Sequence, residues 1–137
     1  MKILVLDDHD AFRNAIVDIL VQNGHVADGA ASAVEAIARV KDGNYDLVLA
    51  DYNMPEHDGL WFMKNATLPR ATKALLITAH VDRGIIDEMF RSGAVGYIIK
   101  PFDEADLLHH ISYHSHRGLP GNGGNMTHDH AISSADK

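Results

Sequence analysis

Asp7 with Asp8, Asp51, Thr78 and Lys100 are the residues of this chain whose types and positions could do chemistry together. Each follows a mostly apolar run: Ile3-Leu4-Val5-Leu6, Leu47-Val48-Leu49-Ala50, Ala74-Leu75-Leu76-Ile77 and Val95-Gly96-Tyr97-Ile98-Ile99. Short apolar runs of this kind read as strands buried on both faces, the mark of a parallel sheet covered by helices. In such a sheet the carboxyl ends of all strands share one edge, where open α/β sheets keep their binding crevice. Three carboxylates, a hydroxyl and an ammonium should therefore converge there.

Three carboxylates about 4 Å apart repel by roughly 4 kcal/mol per pair at an effective dielectric near 20. A hard divalent cation would relieve that repulsion. Magnesium suits best, because it needs only one or two direct carboxylates and otherwise takes waters and phosphate oxygens; manganese can substitute. Zinc would want His or Cys ligands, and the chain has no cysteine. Magnesium alone gives Lys100 and Thr78 no role. A cation, an ammonium and a hydroxyl around one carboxylate form the charge-stabilising frame for moving a phosphoryl group onto it, with Asp51 as nucleophile.

The elements that must position these groups can be read in order. A helix from Ala11 to Gln22 carries Phe12, Ile16, Ile19 and Leu20 at helical spacing and stops at Asn23-Gly24. Val26 to Ala30 is a weak strand. Ser32-Ala33-Val34-Glu35 is a capping-box signature opening a helix through Val40, closed by Gly43-Asn44. After Asp51, Pro55 and Asp58-Gly59 turn the chain over the crevice into a short helix with Leu60, Trp61, Phe62 and Met63 as packing residues. Asp82 caps a helix with Ile85, Ile86, Met89 and Phe90 as its buried stripe, and a last helix from about Asp103 to His114 buries Leu107, Leu108 and Ile111. Five strands alternate with five helices. Right-handed crossovers then give an α/β, flavodoxin-like (βα)5 doubly wound sheet, five parallel strands in order 2-1-3-4-5.

The length of 137 residues, 46% hydrophobic and 23% charged, suits one domain over 1–116 and a flexible Gly/His-containing tail over 117–137. A formal charge of -7 without a clustered Lys/Arg stripe argues against direct nucleic-acid binding, and anionic membrane surfaces are disfavoured likewise. The amino-terminal apolar run is too short for a signal peptide and meets two acids at once. No stretch approaches the length of a membrane helix, so a cytoplasmic protein is the default.

Asp7-Asp8, Asp51 with Asn53-Met54-Pro55 and Asp58-Gly59, Thr78-Ala79, and Gly96-Tyr97 through Lys100-Pro101 together resemble the response-regulator receiver domain of two-component signalling, over about residues 1–116. The resemblance implies a signalling phosphoacceptor rather than a turnover enzyme. Asp51 would take a phosphoryl group from a histidine kinase or phosphotransfer protein. Asp7, Asp8 and Asp51, with the backbone carbonyl of Asn53, would hold magnesium. Thr78 and Lys100 would bind phosphoryl oxygens, Ala79 would leave them room, and Tyr97 would be the switch aromatic that turns inward when Thr78 moves. Lys100-Pro101 resembles the family's cis peptide. Asn53 and His80 stand where relatives tune the lifetime of the phosphorylated state. A downstream protein would read the face of the fourth helix, fifth strand and fifth helix, and a homodimer would form through the last-helix face. His57 departs from the apolar residue usual before Asp58-Gly59.

Two other function classes share part of this pattern. A phosphatase of the haloacid-dehalogenase type also uses an aspartyl nucleophile, magnesium and a lysine, yet wants a second Asp where Asn53 stands. A passive binding domain is the other: a flavin binder would need a phosphate loop after the first strand, where Asp7-Asp8 would repel the phosphate, and an unphosphorylated adaptor would leave the reactive groups without a task. Six of the ten histidines follow Leu108: His109, His110, His114, His116, His128 and His130. They are read as solvated in preference to a zinc or nickel site.

Overall fold

The computed structural model describes residues 1–115. Its elements alternate strictly: β1 (Lys2–Leu6), α1 (Asp10–Gln22), β2 (Val26–Ala30), α2 (Ala33–Asp42), β3 (Leu47–Asp51), α3 (Gly59–Asn65), β4 (Lys73–Thr78), α4 (Arg83–Arg91), β5 (Gly96–Ile99) and α5 (Glu104–Ser115). The five strands form one parallel sheet in the order β2-β1-β3-β4-β5. This is the anticipated doubly wound topology, with β3 in the middle and Asp51 as its last residue. The tail over 117–137 lies outside the described residues.

Alternation along the strands divides the core in two, because successive side chains of a strand point to opposite faces. Ile3, Val5, Leu47, Leu49, Leu75, Ile77 and Ile98 pack on one face with Ile16 and Leu20 of α1 and Leu107 and Ile111 of α5. Leu4, Leu6, Val48, Ala50 and Leu76 pack on the other with α2, Phe62 and Met63 of α3, and Met89 of α4. Both faces of the central strands are covered, which is why their sequences are continuous apolar runs.

Three helix starts lie where the sequence puts them. Ser32 accepts from the Glu35 N–H at 3.1 Å, and Glu35 in return accepts from the Ala31 N–H at 2.9 Å. Asp58 accepts from the Trp61 N–H at 2.9 Å and Asp82 from the Ile85 N–H at 2.9 Å. Each satisfies a donor that the first turn leaves without a helical partner, and removing such a cap costs about 1 kcal/mol.

Two helices bury something other than the expected stripe. In α4 only Met89 is fully buried, while Ile85, Ile86 and Phe90 pack half-buried against the rim of the core. In α5 the buried residues are Leu107, His110, Ile111 and His114, and Leu108 is half-exposed. That set is an i, i+3, i+4, i+7 stripe, so the helical period overrides residue type and carries two imidazoles inward. The reading of His110 and His114 as solvated is therefore corrected. Gly96 makes the room: a Cβ there would stand 3.3 Å from Nε2 of His114. Lys73 Nζ donates to the His114 carbonyl at 3.0 Å.

Burial, and then the neighbouring His109, push the His110 imidazole down to about 4, against the pull of Asp106. Burial, and then Lys73 and His110, push His114 down to about 4 as well. An unfolded imidazole titrates near 6.5, so between about 6.5 and 4 the unfolded chain binds more protons and folding stability rises with pH. Stability from these two groups is complete above about pH 6.5. It is lost as pH falls toward 4, by on the order of 3 kcal/mol for each imidazole. Urea midpoints measured from pH 7 to pH 4 should fall more steeply for the parent than for a His110→Gln, His114→Gln variant.

Candidate functional site

The β1 and β3 ends are built alike. Asp7, 1% exposed, accepts through Oδ1 from the His9 N–H at 2.8 Å. Asp51, 3% exposed, accepts through Oδ1 from the Asn53 N–H at 3.1 Å. In each case the carboxylate folds back on the amide two residues ahead, a local bond that short acidic side chains make readily at strand ends. Neither bond engages Oδ2 of Asp7 or of Asp51. Lys100 Nζ stands 3.9 Å from Oδ2 of Asp7 and 3.8 Å from Oδ2 of Asp51. Asp8 is exposed at the mouth.

Asp7, Asp8, His9, Phe12, Asp51, Asn53 and Lys100 line one open cleft. Asp7, Asp8 and Asp51 each offer an oxygen to it, all within 4.8 Å of one another. Oδ2 of Asp7 is buried and accepts no hydrogen bond among the described residues. A buried carboxylate oxygen in that position costs free energy unless something charged or polar meets it. An all-oxygen donor set with an orphaned carboxylate fits a hard divalent cation such as magnesium, and does not fit zinc.

Burial, then the charge of Asp7, raise the Asp51 carboxyl to about 6; the Asn53 N–H and Lys100 pull the other way, and Asp8 adds to the rise. At pH 7 it remains mostly ionised, but its charge is held at a loss. A cation between the three acids would repay that loss, because an opposite charge within a few ångströms favours the ionised form.

Thr78 and Tyr97 are placed differently from the cleft residues. Thr78 ends β4 beside β3 and is fully buried. Its hydroxyl donates to the His80 carbonyl at 2.9 Å and accepts from the His80 N–H at 3.2 Å, so it is turned to its own loop. The Tyr97 ring is already inward, 7% exposed and edge-on to Phe90 of α4 at 6.1 Å. The His80 side chain is exposed, with Nε2 3.9 Å from Asp82. The Lys100-Pro101 peptide is cis. Asn53 is exposed in the cleft wall.

Several contacts at the site have no counterpart in the sequence reading. Lys100 Nζ lies over the Phe12 ring, 4.5 Å from its centroid, and Phe102 meets that ring edge-on at 5.9 Å. Tyr52, next to Asp51, donates its hydroxyl to Glu88 of α4 at 3.2 Å. His57 stacks on Trp61 with centroids 3.7 Å apart. Gly59 sits so close to the strand end that a Cβ would stand 2.7 Å from the Asp51 carbonyl, which explains a glycine at the start of α3. A phenylalanine in the first turn after the acid pair was the available signal for the Lys100 contact.

Comparison with known proteins agrees with this geometry. The family model described as "Response regulator receiver domain" matches residues 3–112. Chemotaxis protein CheY-3 of Vibrio cholerae is 35% identical over 111 residues, which cover 78% of this chain and 85% of that protein. Response regulator protein FleR of Pseudomonas aeruginosa is 36% identical over 127 residues, covering 88% of this chain and 26% of FleR. Among solved structures, chemotaxis protein CheY4 of Vibrio cholerae superposes with a TM-score of 0.78 at 28% identity, covering 82% of this chain and 96% of that one.

Proposed function

The chain belongs to the response regulator receiver domain family, and from that premise we propose that it is a phosphoacceptor, charged on Asp51 by a histidine kinase or phosphotransfer protein. The observation that carries this reading is the placement of Asp51 Oδ2, 3.8 Å from Lys100 Nζ and within one three-carboxylate oxygen cluster. In the transfer, an Asp51 oxygen attacks the phosphorus of a phosphohistidine. The O–P bond forms, the N–P bond breaks, and the imidazole leaves with its electron pair and takes up a proton. No base is needed, since Asp51 attacks as the carboxylate.

Asp7, Asp8, Asp51 and the Asn53 carbonyl would hold magnesium, or manganese in its place, which when bound neutralises phosphoryl oxygens. The protein's own groups do the rest. Lys100 supplies a cation to one phosphoryl oxygen, and Thr78 a hydroxyl to another once it leaves the His80 carbonyl. That shift would move the loop between β4 and α4 and with it α4, whose last turn carries the Phe90 ring that Tyr97 meets edge-on. The face of α4, β5 and α5 is the surface a downstream protein, or a second copy, would read. Residues 1–116 would be the functional unit, working in the cytoplasm; among the described residues no helix is long and apolar enough to cross a membrane. Asn53 and His80 would set how long the phosphoryl group persists. Asn53 in place of a second Asp also argues against the phosphatase alternative.

The test is direct. With magnesium and acetyl phosphate the intact mass should rise by one phosphoryl group, and a chelator should suppress the gain. No rise under these conditions, or sustained release of phosphate from a monoester, would overturn the reading. Metal binding has its own signature. Magnesium at a hundred times its Kd should stabilise the fold by about 2.7 kcal/mol, several degrees in Tm, and Asp8→Asn should remove most of that gain.

A further inference from the structure

Lys100 reaches the cleft on a flexible four-carbon stem and is about one-third exposed, so something must decide where its ammonium stands. The two carboxylates draw it in without fixing it, since 3.8 and 3.9 Å lie beyond hydrogen-bond length. The Phe12 ring does touch it, at 4.5 Å from centroid to Nζ, within cation–π range. The main chain beneath that ring is anchored and a second ring packs on it. Its own backbone N–H points at the His9 cap at 3.4 Å, and the His9 N–H in turn binds Asp7, which ties the start of α1 to the acid pair. Phe102, two residues past Lys100, meets it edge-on at 71°.

Resting on the phosphoacceptor reading, we propose that Phe12 is a positioning residue for Lys100: its ring face holds the ammonium between Asp7 and Asp51 in the place a phosphoryl oxygen will need it. An aromatic face attracts a cation without a lone pair in the plane of a carboxylate. It therefore fixes the charge while leaving the N–H donors that point away from the ring uncommitted. An aliphatic residue at 12 would let the ammonium either collapse onto a carboxylate or swing into water, and in both cases the donors must be freed or drawn back before transfer.

The experiment compares Phe12→Leu with Phe12→Tyr in the full chain. Magnesium-dependent labelling by acetyl phosphate should slow by about threefold to tenfold in Phe12→Leu and stay near the parent in Phe12→Tyr, as loss and retention of a cation–π contact require. In a Lys100→Met background, Phe12→Leu should change the rate less than about twofold, because residues acting through one contact are not additive. Independently of labelling, the Lys100 ε-methylene protons of the metal-free protein should show a ring-current shift that Phe12→Leu abolishes and Phe12→Tyr keeps. Loss of that shift with unchanged labelling, or an equal slowing in the Lys100→Met background, overturns the role of Phe12 alone. A parent chain that keeps the ring-current shift but takes no label overturns the phosphoacceptor reading, and the proposal with it.

Discussion

Asp51→Asn should take no label from magnesium and acetyl phosphate, and should at the same time be more stable than the parent when metal is absent. The first result follows because an amide oxygen is a poor nucleophile and forms no acyl phosphate. The second follows from electrostatics. The Asp51 carboxyl is raised to about 6, by burial first and Asp7 second, so its charge opposes folding. A carboxyl raised in the fold contributes stability when protonated, and that contribution is lost as pH climbs from about 4 through about 6. At pH 7 the full loss applies. The amide introduced by Asp51→Asn does not titrate, so the variant should recover on the order of 2 kcal/mol; the pull of Lys100 is already part of the net shift, and solvent at the open cleft screens some of the remainder. Tm measured with and without magnesium provides the check: the variant should lead by several degrees in chelator, and the lead should shrink or reverse as magnesium stabilises the parent. A variant less stable than the parent in chelator would mean that the acidic cluster is not repulsive.

Lys100→Met should slow labelling by about tenfold to a hundredfold while leaving the fold intact. Its Nζ is the charged group that faces Oδ2 of both Asp7 and Asp51, and removing a preorganised partner of a developing charge typically costs a few kcal/mol of transition-state stabilisation. Methionine keeps the apolar stem over Phe12, so the loss is assignable to charge and not to packing. The measurement is the labelling rate at fixed magnesium, with the urea midpoint as control. A rate equal to the parent's would remove Lys100 from the chemistry.

Much of this site was legible because each group ends a strand. Asp7, Asp51, Thr78 and Lys100 follow apolar runs, and in a parallel sheet that position fixes the edge they share. What the runs do not encode is the last rotation of a side chain. Thr78 is on the expected edge, yet whether its hydroxyl faces the cleft or its own loop depends on a local bond to His80 that no periodicity announces. Tyr97 is likewise on the expected strand, with its ring inward before any phosphoryl group arrives. Pairings across the fold, Phe12 with Lys100 and Tyr52 with Glu88, join residues 88 and 36 positions apart, so they follow from tertiary placement alone. In α5 the period was the better guide than residue type: His110 and His114 occupy a stripe that hydropathy would assign to leucine.

The hydroxyl of Thr78 is satisfied by a main-chain oxygen, so recruiting it to a phosphoryl oxygen, as proposed above, would be an exchange of acceptors. Bonds between neutral partners are worth about 1 kcal/mol net and bonds to a charged acceptor roughly twice that, so the swap favours the phosphoryl oxygen by about 1 kcal/mol, near fivefold. Converting a population from one part in a hundred to ninety-nine requires about 5.5 kcal/mol. Taken by itself, such an exchange acts as a dimmer: occupancy of the alternative loop would rise in proportion to the signal, and a decisive response would have to draw its remaining bias from whatever protein grips the altered face.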